Sequence, residues 1–243
     1  MTKHFINLWS SPRNVSTALM YSFAQRSDCR VVDEPLYAHY LSKQQRRSSH
    51  PGEADILASQ SHDGRELMQD DMLKNQGSPV VFYKNMSHHF VCLDESLLLP
   101  YQNVLLSRHP KAMLLSFSRN IAQPQIQETG YDKQLGLLNY LRAAGQDVPV
   151  IVSEELLKNP HSVLEQLCRR LDIPFEEAML AWPQGPKDYD GVWAPYWYAN
   201  AHQSSCFAKY QASEQDLPEH LREVYERCLE SYQVLAELAI RAE

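Results

Sequence analysis

The chain has 243 residues, 44% of them hydrophobic and 22% charged, and its 23 basic and 30 acidic residues give a formal net charge of −7. This composition is ordinary for a globular protein of one or two domains with a sizeable apolar core. The acidic charge, with no basic run longer than Arg46-Arg47, argues against nucleic acid or an anionic membrane as a partner, because both require a dense cationic face.

The cysteines and the apolar runs predict the cellular compartment of the protein. Five cysteines are spread along the chain without a Cys-x-x-Cys pair, an odd number that indicates reduced thiols. The longest apolar runs have about five or six residues, far fewer than the ~20 that cross a bilayer, and no secretory leader precedes the first of them. We therefore expect a soluble, cytoplasmic protein.

Short segments rich in β-forming residues alternate along the chain with longer segments of helical periodicity. The predicted strands are residues 3–9, 29–33, 79–84, 101–107 and 148–152. The predicted helices are residues 17–25, 110–120, 131–144, 159–171 and 218–241. Short strands separated by helices are typical of parallel sheets, so we expect an α/β fold of three layers, α/β/α, around a mainly parallel sheet of about five strands.

Two regions interrupt this alternation. Residues 41–76 are polar and irregular, with one helix predicted near residues 65–74. Residues 182–210 have the composition of a loop and contain three tryptophans and four tyrosines. Because the sequence shows neither a repeat nor a linker, we expect one domain over residues 1–243, with an insertion at about 41–76 and an aromatic loop plus C-terminal helix at about 182–243.

Polar residues follow the predicted strands directly. They are Ser10 to Thr17 after the first strand, Glu34 after the second, Lys84 and Asn85 at the end of the third, Arg108 and His109 after the fourth, and Ser153 and Glu154 after the fifth. The carboxyl ends of the strands of an open α/β sheet meet at one edge, where ligands bind. We expect the chemistry of the protein at this edge.

The loop after the first strand suits an anion. It carries hydroxyl side chains and one cation, Arg13, and it leads to a helix N-terminus, where unpaired N–H groups and the helix dipole favour phosphate or sulfate. The alternative is that Ser16 or Thr17 merely caps the helix. The Walker A pattern GxxxxGK[ST] is absent from the sequence, which argues against an ATP or GTP hydrolase. Residues 31–34 (VVDE) are nevertheless similar to the strand end that binds magnesium in such hydrolases.

A second pair of polar residues lies near the fourth strand. Arg108 ends that strand and Ser116 comes eight residues later, about two turns into the next helix. The two side chains could close on a second phosphate. The alternative is a surface arginine and a helical serine that bonds back to its own turn.

Taken together, these segments resemble the phosphoadenosine-phosphosulfate-dependent sulfotransferase family. Residues 11–17 (SPRNVST) are similar to the family's 5′-phosphosulfate loop, and Arg108-His109-Pro110 with Ser116 is similar to its 3′-phosphate motif. Residues 153–160 (SEELLKNP) resemble the segment that follows the family's fifth strand. The three motifs occur in the family's order. Val15 departs from the pattern, because the family usually has glycine there and a β-branched residue adopts a positive φ only at a cost.

The resemblance implies a fold, a donor and a binding site. The fold would be of the P-loop NTPase-like, sulfotransferase type. The donor would be 3′-phosphoadenosine-5′-phosphosulfate (PAPS), the product adenosine 3′,5′-bisphosphate (PAP), and no metal would be needed. The cofactor-binding residues it implies are Arg13, Asn14, Val15, Ser16 and Thr17 for the 5′ end, and Arg108 and Ser116 for the 3′-phosphate.

Sulfuryl transfer needs positioning, charge stabilisation and a base, by analogy with phosphoryl transfer. Lys84 would steady the bridging oxygen or the sulfuryl group. For the base the sequence leaves two candidates open: His88 or His89, shortly after Lys84, and Glu34, which would need its pKa raised by burial. The histidines could instead form a solvated loop pair, and Glu34 could cap the next helix.

The function that these residues imply is transfer of a sulfuryl group from PAPS to a hydroxyl or amine of a small-molecule acceptor. The alternative is a catalytically silent protein of the same fold that binds a nucleotide or a protein partner. The aromatic stretch at 182–198 could form a lid or acceptor pocket, or only a packed loop over the sheet edge. The sequence specifies neither the acceptor nor the oligomeric state.

Overall fold

A computed structural model describes residues 3–43, 48–74, 77–212 and 215–243. The Arg46-Arg47 pair and residues 75–76, parts of the predicted insertion, lie outside the described residues. In the described part of the chain, no helix combines the length and the apolarity that crossing a bilayer requires.

The centre of the molecule is a five-stranded parallel sheet with strand order β2-β3-β1-β4-β5. The strands are β1 His4–Ser10, β2 Cys29–Asp33, β3 Val80–Met86, β4 Gln102–Ser107 and β5 Val150–Val152. All seven residues of β3 are buried, as expected of a strand covered by helices on both faces. The predicted parallel α/β sheet is confirmed, but β3 runs two residues further than predicted, so that Lys84 lies within the strand.

Helices cover the sheet and the segments that connect its strands. They are α1 Ser16–Phe23, α2 Tyr37–Lys43, α3 Glu53–Ser59, α4 Gly64–Glu66, α5 Pro110–Phe117, α6 Ile126–Thr129, α7 Tyr131–Ala143, α8 Ser153–Lys158, α9 Pro160–Arg170, α10 Ala194–Trp197, α11 Ala199–His202 and α12 Arg222–Glu237. A π-helical turn, Leu67–Asp71, extends α4. Shorter 3₁₀ turns span Ser87–His89, Glu95–Leu98, Glu177–Leu180 and Glu219–Leu221.

Successive side chains of each strand point to opposite faces of the sheet and build two separate cores. Trp9 and Tyr83 belong to the core under α5, α7 and α12. Their neighbours Leu8 and Phe82 belong to the core under α1 and α9. The chain therefore has the predicted three layers.

The two irregular regions are more ordered than their sequences indicate. Helices α2 and α3 form inside or next to the stretch predicted as irregular, and the aromatic stretch contains α10 and α11. Residues of both regions share a third core that includes Tyr40, Ile56 and Trp193. Because this burial joins segments more than a hundred residues apart, local periodicity did not reveal these helices.

The predicted C-terminal helix also needs correction. Its first turn is the 3₁₀ turn Glu219–Leu221, and the α-helix ends at Glu237 rather than at residue 241. By contrast, α9 begins as predicted, because the Asn159 side chain accepts a hydrogen bond from the Ser162 N–H and Pro160 stands at the first helical position.

Candidate functional site

A cavity of about 370 Å³ opens at the carboxyl edge of the sheet. The candidate cofactor-binding and catalytic residues all line it: Arg13, Asn14, Val15, Ser16, Thr17, Glu34, Lys84, His88, His89, Arg108 and Ser116. Segments that are up to a hundred residues apart in the chain thus share one cavity. Other polar residues predicted at this edge do not line it, among them Asn85, His109, Ser153 and Glu154. The late aromatic stretch supplies a further wall through Trp197, Tyr198 and Phe207.

The loop between β1 and α1 places the N-terminus of α1 at the cavity. Asn14 organises the loop: its Oδ1 accepts a hydrogen bond from the Ser16 N–H at 2.9 Å, and its Nδ2 donates to the Leu106 carbonyl at 3.1 Å. The N-cap position is Val15, and no side chain among the described residues caps the helix from there. The alternative interpretation, that Ser16 or Thr17 caps α1, is therefore wrong.

The backbone strain of this loop lies at Arg13 rather than at Val15. Arg13 has a φ of 54°, in the left-handed region, whereas Val15 has a φ of −90°. A β-branched residue tolerates that angle. The expected conflict between Val15 and a positive φ does not exist in this structure.

Arg13 connects the two phosphate motifs that the sequence suggested. Its Nε donates to Ser116 Oγ at 3.1 Å, and an Arg108 guanidinium nitrogen donates to the Arg13 carbonyl at 2.6 Å. Burial, and then repulsion from Arg108 and Arg119, lower the pKa of Arg13. Two cations held this close leave a local positive potential that suits an anion. Arg108 and Ser116 therefore face Arg13 and the cavity, not the outer surface and their own helix turn.

The aromatic stretch also holds Arg13. Another guanidinium nitrogen of Arg13 donates to the Trp197 carbonyl at 3.0 Å, and the guanidinium carbon lies 5.8 Å from the centre of the Trp197 ring. The stretch is thus part of the site rather than only a loop packed over the sheet edge.

A buried charged cluster forms the other end of the cavity. The Lys84 ammonium, whose residue is 0% exposed, donates to Asp33 Oδ1 at 3.0 Å and also to Glu34 Oε1 and the Tyr198 hydroxyl. The Tyr198 hydroxyl contacts both Asp33 oxygens, at 2.8 and 2.9 Å, and accepts a hydrogen bond from Trp193 Nε1 at 3.0 Å. The ammonium, the Asp33 carboxylate, Glu34 Oε1 and the two ring groups thus form one hydrogen-bonded network.

The cluster contains two carboxylates and one ammonium. Burial alone would lower the pKa of Lys84, but Asp33 and Glu34 raise it above its ordinary value. Burial, reinforced by Asp33 and opposed by Lys84, raises the pKa of Glu34 to about 6. Lys84 is therefore a cation at neutral pH, and Glu34 changes its charge close to neutrality.

His88 and His89 are buried, at 5% and 1% exposure, so the interpretation of a solvated loop pair is wrong. The His89 ring stacks between Tyr37 and Tyr40, with ring centres 4.5 and 4.9 Å apart. Burial, with His50 nearby, lowers the pKa of His88 to about 3 and places that of His89 well below its ordinary value. Both imidazoles are neutral at pH 7.

Sequence reasoning missed several residues of the site, among them Asp33 in a functional role, Tyr37, His50, Trp197 and Tyr198. For Asp33 a signal was available, because it directly precedes Glu34 at the end of a strand. Tyr198 had no such signal. Its hydroxyl reaches Asp33 across 165 residues of sequence, a contact that only the fold creates.

The sequence profile of the family described as "Sulfotransferase domain" matches residues 4–236 of this chain. Two Arabidopsis thaliana proteins, "Branched-chain-amino-acid aminotransferase-like protein 2" and "Branched-chain-amino-acid aminotransferase-like protein 1", are each 34% identical to it over 231 residues. The match takes in 95% of this chain but only 41% of either relative, so the chain spans about two fifths of their length.

Solved structures share the fold. The sulfotransferase domain from the curacin biosynthetic pathway superposes with a TM-score of 0.57 at 19% identity, covering 93% of this chain and 97% of that one. A sulfotransferase from Alicyclobacillus acidocaldarius gives a TM-score of 0.56 at 13% identity, covering 99% and 98%. The sulfotransferase domain of the Synechococcus PCC 7002 olefin synthase gives 0.54 at 17% identity, covering 93% and 95%. At these identities the likeness concerns the fold alone.

Proposed function

The chain belongs to the sulfotransferase domain family, and from this premise we propose that it transfers a sulfuryl group from PAPS to a hydroxyl or amine of a small acceptor. The observation that carries the proposal is that the loop at residues 12–17, the pair Arg108 and Ser116, and the strand-end residues Glu34 and Lys84 all line one cavity. One end of that cavity holds two arginines and the N-terminus of α1, and the other holds a carboxylate with a raised pKa.

The arginine end fits the donor. Arg13 and Arg108 supply the charge that two phosphate groups need, and the N–H groups at the start of α1 supply donors for the 5′ end. Ser116, which already accepts a hydrogen bond from Arg13, stands beside both arginines. When bound, the donor supplies the activated sulfuryl group. These residues hold its phosphates and stabilise the charge left on the departing oxygen.

Of the two candidates for the base, the geometry favours Glu34. Its Oε1 is fixed by Lys84, while its Oε2 lies on the other side, 3.9 Å from His89 Nδ1. A carboxylate with a pKa of about 6 is ionised at neutral pH and basic enough to take a proton from an acceptor. His88, with a pKa of about 3, and His89 are much weaker proton acceptors. We assign them to the cavity wall.

Lys84 then acts as a fixed positive charge. It is buried and protonated, and it lines the cavity beside Glu34, from where it would steady the bridging oxygen or the sulfuryl group of a bound donor. The protonation of Lys84 also argues against a role for this lysine in aminotransferase chemistry, the activity to which the names of the Arabidopsis relatives refer. An aminotransferase lysine must lose its proton to attack a carbonyl group, whereas Lys84, the one buried lysine among the described residues, is held as a cation by two carboxylates.

The first test is isothermal titration of PAP into the wild type, Arg108→Ala and Arg119→Ala. Arg119 is exposed and close enough to act on the charge of Arg13, so its variant removes the same charge without changing the cavity lining. We expect micromolar binding to the wild type and to Arg119→Ala, and a loss of about tenfold to hundredfold for Arg108→Ala, the worth of a hydrogen bond to a charged group. Equal binding by all three folded proteins would refute the donor site.

Turnover separates catalysis from binding alone. Wild type with PAPS and a panel of alcohols and amines is expected to give sulfated products detectable by mass spectrometry, and Glu34→Gln is expected to give none while still binding PAP. If the wild type binds PAP but Glu34→Gln turns over as fast as the wild type, Glu34 is not the base. Donor binding without any product would favour the catalytically silent alternative.

A further inference from the structure

The end of the cavity opposite the arginines has walls of imidazole and aromatic rings. We define this acceptor end as Glu34, Tyr37, His50, His88 and His89, all of which line the cavity. Tyr37 orders it: its ring stacks on His89, and its hydroxyl lies 2.6 Å from His50 Nδ1. The rings pack against one another and leave little freedom to rearrange.

Two imidazole nitrogens in the ring walls have no hydrogen-bond partner among the described residues. They are His88 Nδ1 and His89 Nδ1, and both are buried. A buried polar atom without a partner is uncommon and calls for an explanation. A neutral imidazole nitrogen offers either a donor or an acceptor, depending on its tautomer. It therefore pairs well with a hydroxyl or amine, which can also do both.

Two carboxylates meet a single ammonium beside the acceptor end. The carboxylates of Asp33 and Glu34 both contact the Lys84 ammonium, so the cluster holds one more acidic group than basic groups. The buried imidazoles of His88 and His89 add no charge. The far end of the same cavity, with Arg13 and Arg108, is positive. The cavity is thus polarised along its length.

We propose that this polarisation, together with the unpartnered imidazole nitrogens, selects the acceptor by charge, so that the enzyme takes neutral or cationic alcohols and amines and excludes acids. The inference rests on the function proposed above and narrows its acceptor class. An anionic acceptor would meet the excess carboxylate charge in a buried setting where water does not screen it. A flat, apolar body would fit the ring walls.

The test uses three benzyl alcohols that differ only in the charge of the para substituent: 4-methylbenzyl alcohol, 4-(aminomethyl)benzyl alcohol and 4-(hydroxymethyl)benzoate. Each is titrated at pH 8 into PAP-saturated protein and followed by saturation-transfer NMR. We expect the neutral and cationic alcohols to bind at least about tenfold more tightly than the benzoate, a difference of about 1.4 kcal/mol.

Two variants connect the result to the carboxylates. Glu34→Gln removes the excess negative charge with little change of shape and is expected to bring the benzoate's affinity close to that of the neutral alcohol. Glu165→Gln, the same substitution on the exposed face of α9, is expected to leave the wild-type order unchanged.

The outcomes separate this inference from the proposed function. Failure of PAP to bind would overturn the proposed function and this inference with it. In protein that does bind PAP, three results overturn the acceptor rule alone: benzoate binding as tightly as the neutral alcohol, an unchanged preference in Glu34→Gln, or no binding of the neutral and cationic alcohols at millimolar concentration. The wild-type comparison decides the question even if the variant fails to fold.

Discussion

Replacing Tyr198 by phenylalanine removes one hydroxyl from the centre of the charged cluster. That hydroxyl donates to the Asp33 carboxylate and accepts hydrogen bonds from Lys84 and from Trp193 Nε1. A hydrogen bond to a charged group contributes about 1.5–3 kcal/mol, and a buried donor left without a partner costs about 1–3 kcal/mol. Since the cluster can partly relax, we expect the free energy of unfolding to fall by about 2–4 kcal/mol.

The same substitution acts on the base. The Tyr198 hydroxyl lies 3.3 Å from Glu34 Oε1, and this contact lowers the pKa of Glu34 against the larger effect of burial. Without it we expect the pKa of Glu34 to rise further above its ordinary value. Less of the carboxylate is then ionised at neutral pH, so the acidic limb of the rate profile moves to higher pH.

Tyr83→Phe is the matched control. Tyr83 is a buried tyrosine of β3 whose hydroxyl donates to the Met72 carbonyl, a neutral group outside the cavity. Its loss is expected to cost about 1 kcal/mol and to leave the pH profile unchanged.

Urea denaturation measures the stabilities of the variants. ¹³C NMR titration of the Glu34 carboxyl, assigned with Glu34→Gln, measures the pKa even before an acceptor is known. The reasoning would be refuted if Tyr198→Phe lowered the free energy of unfolding by no more than Tyr83→Phe does. It would also be refuted if the Glu34 carboxyl had the same pKa in both variants.

Further predictions concern the base, two glycines and the phosphate loop. Because the pKa of Glu34 is raised, the native state binds this proton more tightly than the unfolded chain does. The stability of the wild type relative to Glu34→Gln should therefore fall by about 2 kcal/mol as the pH rises from about 4.5 through about 6. Urea denaturation that gives the same stability difference between the two proteins at every pH would contradict this. Gly191→Ala would place a Cβ 2.1 Å from the Trp193 ring and should lower the free energy of unfolding by about 1–3 kcal/mol. Gly136→Ala lies in the α7 interior with nothing described within 4 Å, and it should raise the free energy of unfolding by up to about 1 kcal/mol. Thermal melts that rank the two variants the other way would show that the Trp193 ring moves aside at little cost. Val15→Gly should lower the melting temperature, because glycine gives the unfolded chain more conformational freedom. It should not tighten PAP binding, because φ at Val15 is already negative. A gain in PAP affinity of about tenfold, measured by titration, would show that the Val15 Cβ keeps the phosphate at a distance.

Local sequence was sufficient for the framework of the fold. The alternation of short β-forming runs with helical periodicity predicted all five strands to within a few residues, and the Asn159-Pro160 pair marked the start of α9. Strand continuity and capping depend on neighbours in the chain, so they can be predicted from sequence. Helices α2 and α3 escaped prediction because their stability comes from a core shared with Trp193.

The sequence by itself also predicted that the polar residues after β1, β2, β3 and β4 converge on one cavity, because parallel strands all end at one edge of the sheet. It did not predict the walls that Tyr37, His50 and Tyr198 supply. Nor did it determine what the converging residues do. The choice between Glu34 and His88 or His89 depends on burial and on partners such as Tyr198, which comes from the far end of the chain. A pKa is set by desolvation and by charges a few ångströms away, and only the tertiary structure brings those charges together.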